Sequence, residues 1–459
     1  MQSRISFVAA ITLTAVFAQY SRAAVPSESC DTQALQAIAP PDTTIGAAVR
    51  ESGGICRVDG YVTTRNPGPN KVLFVLGLPD NFNGRYVYLG VGGAAAYLPT
   101  LSPELMAKGY VIAGSNAGTG STNLYDFSFK SDPAKYTDFL WRGVRTSATV
   151  TQQLVKTYYK RDNIHRYISG CSGGGQMGLG NALRFGGENF DGFIVGATVW
   201  PGDPYHPNVF TIAQHVQKHP EAWLSPELLK RADAAILAAY DGSDGAIDGI
   251  IHDERNIKNF DINILRKVGF TPAQIETFNL IHQSKQFSGP HIYGDGVMPG
   301  FPVTQLANWS VFLLGTGSPP WPNSSDHSAS ELAAVGAASI HIMSDTNTRA
   351  LFPGRDYVSV DDPAELTRIA MSTGEIPDDP KDFSKLDQSG AKMILWHGVN
   401  DDSMSLLRDA QRLRRHQDTL SQIERLVASD HDSRSVALPW WFRSHQYRRC
   451  DAGSNGRVG

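Results

Sequence analysis

What the chain lacks narrows its class. It has no obvious membrane span: the N-terminal apolar run, Ile5 to Phe17, stops short of the roughly 20 residues a bilayer needs. One Arg precedes that run and small residues around Ala18 and Ala23 follow it, the order of a secretory signal over residues 1–23. The mature protein is therefore expected to be periplasmic or extracellular. Charge of one sign is lacking too. The net charge is −4 with both signs interspersed, which leaves no footprint for nucleic acid or for an anionic membrane surface. Internal repeats and long low-complexity tracts are absent. Cysteine is scarce, with only Cys30, Cys56, Cys171 and Cys450, all beyond the expected cleavage point. In an oxidising compartment an even number suggests two disulfides, for which three pairings exist. Cys30 with Cys56 would close a local loop, and Cys171 with Cys450 would join the segment beside Ser172 to the C-terminal end.

What is present is enough for a large core: 459 residues, 41 % of them hydrophobic, a length that suggests two or three domains. Short β-branched and aromatic runs at 71–78, 86–90, 110–114, 165–170, 193–197 and 393–397 each suit a buried strand. Between two of them, residues 144–160 carry Val144, Ala148, Leu154, Val155 and Tyr158 at helical spacing. Strands alternating with helices predict an α/β fold with a mostly parallel sheet. From Trp200 to Ser384 the rhythm breaks into polar loops, and then MILWH restores it. A structureless loop of that length is improbable, so residues 200–384 are expected to form an inserted lid domain. The core would then comprise 24–199 and 385–459.

Gly170-Cys171-Ser172-Gly173-Gly174 is G-x-S-x-G directly after a strand run and before a helical one. At such an elbow the Ser takes a strained conformation among small neighbours, and the Gly173 N–H can point at a developing oxyanion. A second donor is expected from Gly92 or Gly93, which follow the run at 86–90. The order Ser, acid, His places the acid after a late strand, where Asp401 and Asp402 stand; Asp401 is the candidate. Three histidines lie downstream of it. His416 sits in a charged helical run, His431 in a turn-like SDHDS, and His445 follows the last strand-like run, VALPWWF, which is the topological place for the base.

CRVDG (56–60), LPDNFNGRYVYLGVGG (78–93), RYISGCSGGGQMGL (166–179), NFDGFIVGA (189–197) and ILWHGVNDD (394–402) resemble successive signatures of the tannase and feruloyl esterase family, Gly-Cys-Ser being the specific part. The resemblance covers most of the mature chain. It implies an α/β-hydrolase core with a large lid, a Ser172–Asp401–His445 triad and hydrolysis of esters of phenolic acids. It also implies a cysteine beside the Ser bonded to one near the His. AAYDGSDGAIDGIIHD (238–253) looks like the family's structural calcium loop, with carboxylates from Asp241, Asp244 and Asp248 and backbone carbonyls from Ala246 and Ile250. The chain departs from the family in two places. Tyr240 stands where many members carry Cys, and His445 precedes Cys450 by five residues with no Pro-Gly turn before it. Trp200, Trp309 and Trp321 are candidates for an aromatic wall around the acyl group. The expected ligand is a small aromatic ester with no catalytic cofactor; the oligomeric state is left open. Two other readings remain at this stage: a general secreted carboxylesterase, and an inactive hydrolase fold used for binding.

Overall fold

In a computed structural model the chain is described over residues 30–416, apart from 123, 125, 201–203, 252–253, 255–256, 258, 289–295, 305, 322–361, 363–382, 399–400 and 402. His445 and Cys450 therefore lie outside the described residues, as does the expected signal segment.

Eight strands form one sheet: β1 (Thr43–Glu51), β2 (Ile55–Thr64), β3 (Asn70–Pro79), β4 (Arg85–Leu89), β5 (Val111–Ser115), β6 (His165–Cys171), β7 (Gly192–Gly196) and β10 (Lys392–Trp396). Between β7 and β10 in sequence, β8 (Lys285–Gln286) and β9 (Val297–Met298) make a separate two-stranded ribbon. The order in the large sheet is β1-β2-β3-β5-β4-β6-β7-β10. The first three strands and the β3–β5 pairing are antiparallel, while β5, β4, β6, β7 and β10 run parallel. This is the expected α/β architecture, and each of the six strand runs read from the sequence is a strand of this sheet.

β1 and β2 were not among those runs. Their burial alternates imperfectly, and Gly46, Asp59 and Gly60 interrupt the apolar pattern. They become strands because β3, fully buried over Phe74–Pro79, offers an edge that must be paired.

Helices cover the sheet as the right-handed crossover of parallel strands requires. The helix Gly143–Tyr159 carries more Ser and Thr than an apolar face needs, and the sheet explains why. Buried Tyr86 pairs its hydroxyl with Thr151 at 2.7 Å, and Tyr88 pairs with Ser147 at 2.8 Å and Ser115 at 2.6 Å. Each buried phenol is thus satisfied, which avoids the roughly 1–3 kcal/mol cost of an orphan.

Two large apolar clusters result. One lies at the sheet, from Val58, Phe74 and Ile168 to Phe193 and Trp200. The other is built chiefly by residues 199–321, with Phe210, Leu229, Phe278 and Trp309 at its centre, and it takes in Phe129, Phe139 and Met404 from the core. Met404 follows β10, so the end of the sheet is packed directly into the second cluster.

Candidate active site

All the parallel strands end on the same side of the sheet, and the loops at their carboxyl ends carry the candidate site residues. β6 delivers Ser172. Its backbone has φ 56° and ψ −124°, a left-handed conformation that a side chain adopts only under strain of about 1–3 kcal/mol. Two hydrogen bonds enforce it. The Ser172 amide donates to the Gly196 carbonyl at the end of β7 (3.0 Å), and the Gln176 amide donates to the Ser172 carbonyl as the helix Gly173–Phe185 begins (2.9 Å). The bend is therefore fixed from both sides, and its hydroxyl sits at a helix N-terminus.

β4 delivers the neighbouring loop. A Cβ added at Gly173 would stand 2.8 Å from the Gly93 amide nitrogen and 3.1 Å from the Gly92 carbonyl carbon. One added at Gly174 would stand 2.6 Å from the Gly90 carbonyl. Only glycines let these two backbones meet, and the contact brings the expected oxyanion donors together. The two candidates in the β4 loop differ. The Gly92 amide donates to the Tyr97 hydroxyl at 3.4 Å, whereas the Gly93 amide has no acceptor among the described residues. Gly93 also has φ 54°, and its neighbour Ala94 is tied to the Leu124 carbonyl (2.6 Å), so the turn is held rigid. Gly93 is the better placed of the two.

β10 delivers Asp401 on a loop tightly wound on itself. Asp401 Oδ1 accepts from the amides of Ser403 and Met404, both at 2.9 Å, and from the Ser403 hydroxyl at 2.8 Å. Its other oxygen, Oδ2, stands 3.5 Å from Nε2 of His397. Burial would raise the Asp401 carboxyl, but the hydrogen bond and charge of His397 and the loop amides hold it below the usual range. One strand separates β6 from β10, a gap of about 10 Å between their axes.

The model of tannase and feruloyl esterase matches residues 56–413, which contain the elbow, the β4 loop and the acid loop. This chain belongs to the tannase and feruloyl esterase family. A probable feruloyl esterase of Arthroderma benhamiae is 29 % identical over 388 residues, covering 79 % of this chain and 66 % of that protein. Probable feruloyl esterase B-1 of Aspergillus flavus is 28 % identical over 247 residues, covering 53 % and 45 %. The matched part of this tannase-family chain is thus less than two thirds of either relative's length. The crystal structure of feruloyl esterase B from Aspergillus oryzae superposes with a TM-score of 0.66 at 20 % identity, over 86 % of this chain and 80 % of that one, and shows the same fold.

Other sites read from the sequence of this family member fare differently. Trp200, Trp309 and Trp321 do not line an aromatic wall: they are 3 %, 2 % and 5 % exposed and belong to the apolar clusters. Trp200 also donates its indole N–H to Asp409 at 2.7 Å. Cys30 and Cys56 are joined by a disulfide, and Cys171 is disulfide-bonded as well. At the Asp loop, donor chemistry and geometry diverge. An all-oxygen set suits a hard cation, yet each carboxylate is turned onto a loop amide: Asp241 to Gly249, Asp244 to Ala246 and Asp248 to Ile250. No group of three or more His, Cys, Asp or Glu side chains placed to hold a metal ion occurs among the described residues.

The sequence reading missed His397 and Asp409. His397 is 2 % exposed, with Nδ1 2.7 Å from Asp409 Oδ2 and Nε2 2.7 Å from the Met404 carbonyl. The order Ser, acid, His points to a base after Asp401, and so away from a histidine four residues before it. The WHG sequence at the end of β10 was the available signal.

Proposed function

We propose that this chain is a secreted serine esterase that cleaves esters of phenolic acids through an acyl-enzyme. The observation that carries the reading is Ser172, held at φ 56° on a strand-to-helix elbow with the Gly173 backbone against Gly93. The names of the relatives support ester hydrolysis of the feruloyl type, and the family membership supports the reaction class. Secretion is supported by the Cys30–Cys56 disulfide. No described helix is long and apolar enough to cross a membrane.

In this reading Ser172 Oγ attacks the ester carbonyl while His445 takes its proton, and Asp401 Oδ2 receives the other ring N–H, fixing the tautomer and stabilising the cation. The amides of Gly173 and Gly93 bind the oxyanion, each donor contributing about 2.7–4 kcal/mol. The alcohol leaves with the proton from His445, and water then repeats the sequence to release the acid. Lid residues 200–384 would shape the acyl pocket. Calcium, if the Asp241–Ile250 loop takes it, would order that loop only after its carboxylates exchange amide partners for the ion. A rise in melting temperature with added calcium, reversed by chelator, tests this; no change removes calcium from the account.

The decisive experiment compares turnover of methyl ferulate, methyl gallate and an aliphatic methyl ester by the protein, Ser172→Ala and His445→Ala. The aromatic esters are expected to be hydrolysed, with both variants reduced at least 10³-fold. Undiminished turnover by Ser172→Ala refutes the mechanism, and preference for the aliphatic ester reassigns the protein as a general carboxylesterase. If the folded protein turns over none of the three, the binding-module reading takes its place.

A further inference from the structure

The candidate acid is held by a second buried charge system. We propose that His397, as a doubly protonated imidazolium, is the positioning residue of Asp401: it clamps the loop after β10 to the helix Leu406–His416 and so sets where Asp401 Oδ2 stands. The proposal rests on the reading of Asp401 as the acid of the triad.

The protonation state follows from the partners. The Met404 carbonyl can only accept, so Nε2 at 2.7 Å must carry a proton. Nδ1 faces Asp409 Oδ2 at 2.7 Å, and Asp409 is kept ionised by its other oxygen's contacts: the Trp200 N–H at 2.7 Å and the Arg408 guanidinium at 3.4 Å. Nδ1 therefore donates too. A neutral imidazole has one N–H and would press a lone pair against an oxygen at one of these contacts. Among the described residues, the charged groups facing the ring are Asp401 on its own loop and Asp409, flanked by Arg408, on the following helix. Arg408 in turn donates to the Thr198 carbonyl, just past β7.

These contacts anchor the acid loop at both ends. His397 directly follows β10, and the Trp396 carbonyl accepts the Ala197 amide at 2.9 Å, so the ring starts from a fixed point on the sheet. From there it holds Met404 by hydrogen bond and Asp409 by charge, while Asp401 lies 3.5 Å from Nε2, near enough for attraction and too far for a strong bond. Asp401 Oδ1 is saturated by the loop, which leaves Oδ2 for the catalytic imidazole. His397 is not itself the base. It is 2 % exposed, and both nitrogens are engaged in the fold. Loss of its charge frees the loop, and a displacement of about 1 Å at a catalytic group costs on the order of 10²-fold in rate.

The test uses the full chain with methyl ferulate, comparing wild type, Asp401→Asn and His397→Gln. Asp401→Asn is expected to lower kcat about 10³- to 10⁴-fold. His397→Gln is expected to lower it about 10- to 100-fold with KM within about twofold, and to shift the acid limb of the kcat/KM profile. If Asp401→Asn is as active as wild type, the acid assignment has failed and not the clamp. If Asp401→Asn is crippled while His397→Gln keeps wild-type kcat and acid limb, or loses rate only in step with its folded fraction, the proposal is overturned. Nitrogen NMR of the ¹⁵N-histidine-labelled wild type covers the case in which His397→Gln does not fold. Among its 13 histidines, one is expected to show both ring nitrogens protonated at pH 8. The absence of any imidazolium at that pH overturns the proposal.

Discussion

Ser172 is strained because of where its hydroxyl must go, and the strain has a thermodynamic signature. With φ at 56°, any side chain at 172 is held in a conformation that glycine adopts freely. Ser172→Ala keeps the Cβ and keeps the strain, while Ser172→Gly releases it. Both variants are expected to be inactive, with Ser172→Gly more stable than Ser172→Ala by about 1 kcal/mol in denaturant unfolding. Equal stabilities would show that the elbow is not strained. Gly93 gives the complementary case: a Cβ there would lie 2.3 Å from the Leu124 carbonyl oxygen at φ 54°. Gly93→Ala is expected to displace the β4 loop and lower kcat about 10²-fold or more, with substrate affinity much less affected. The Ser was legible because G-x-S-x-G states its own geometry. The preference for Gly93 over Gly92 was not, because it depends on which amide Tyr97 occupies.

Between elements, the scaffold depends on buried polar joints that no periodicity announces. Asp138 and Arg142, 0 % and 9 % exposed at their side chains, pair at 2.5 Å in a short π-helical turn before the helix Gly143–Tyr159. Asp138 also accepts from Thr64 and Asn70, and Arg142 donates to the carbonyls of Arg65, Pro67 and Ala134. One ion pair thus ties the β2–β3 connection to that helix. Arg142→Met strands the buried carboxylate and is expected to cost about 3–5 kcal/mol, measured by chemical denaturation. A cost under 1 kcal/mol would mean that the joint is dispensable. The six strand runs were readable because β-branched and aromatic residues concentrate in them, even where, as in β6 and β10, the strand is only partly buried. β1 and β2 were not, because half-buried strands broken by glycine are defined by the partner they pair with.

Across the whole molecule, the His397–Asp401–Asp409 system makes stability depend on pH. Burial opposes the charged imidazole, but Asp409 and Asp401 outweigh it and raise His397 from 6.5 to about 10. A group raised on folding contributes fully below its unfolded value and loses that contribution as pH climbs through the folded one. The two carboxylates are lowered by His397 despite burial, so their contribution is complete above about 4 and fades under more acid conditions. Wild type is therefore expected to exceed His397→Gln in melting temperature most between about pH 4 and 6.5, the difference shrinking toward pH 10. A difference that does not shrink between pH 6.5 and 10, or that grows as pH rises to 6.5, would show that the ring is not held cationic by the fold. The sequence by itself determined the α/β class, the strand-to-helix corner at Ser172 and the places of the loops after β4 and β10, since strand pattern, turn sterics and strand order are local or topological constraints. Tertiary structure alone decided which amide faces the elbow, that the tryptophans fill cores and that a histidine before Asp401 is cationic. Those outcomes depend on distances between groups far apart in the chain, and only the packed sheet and helices set such distances.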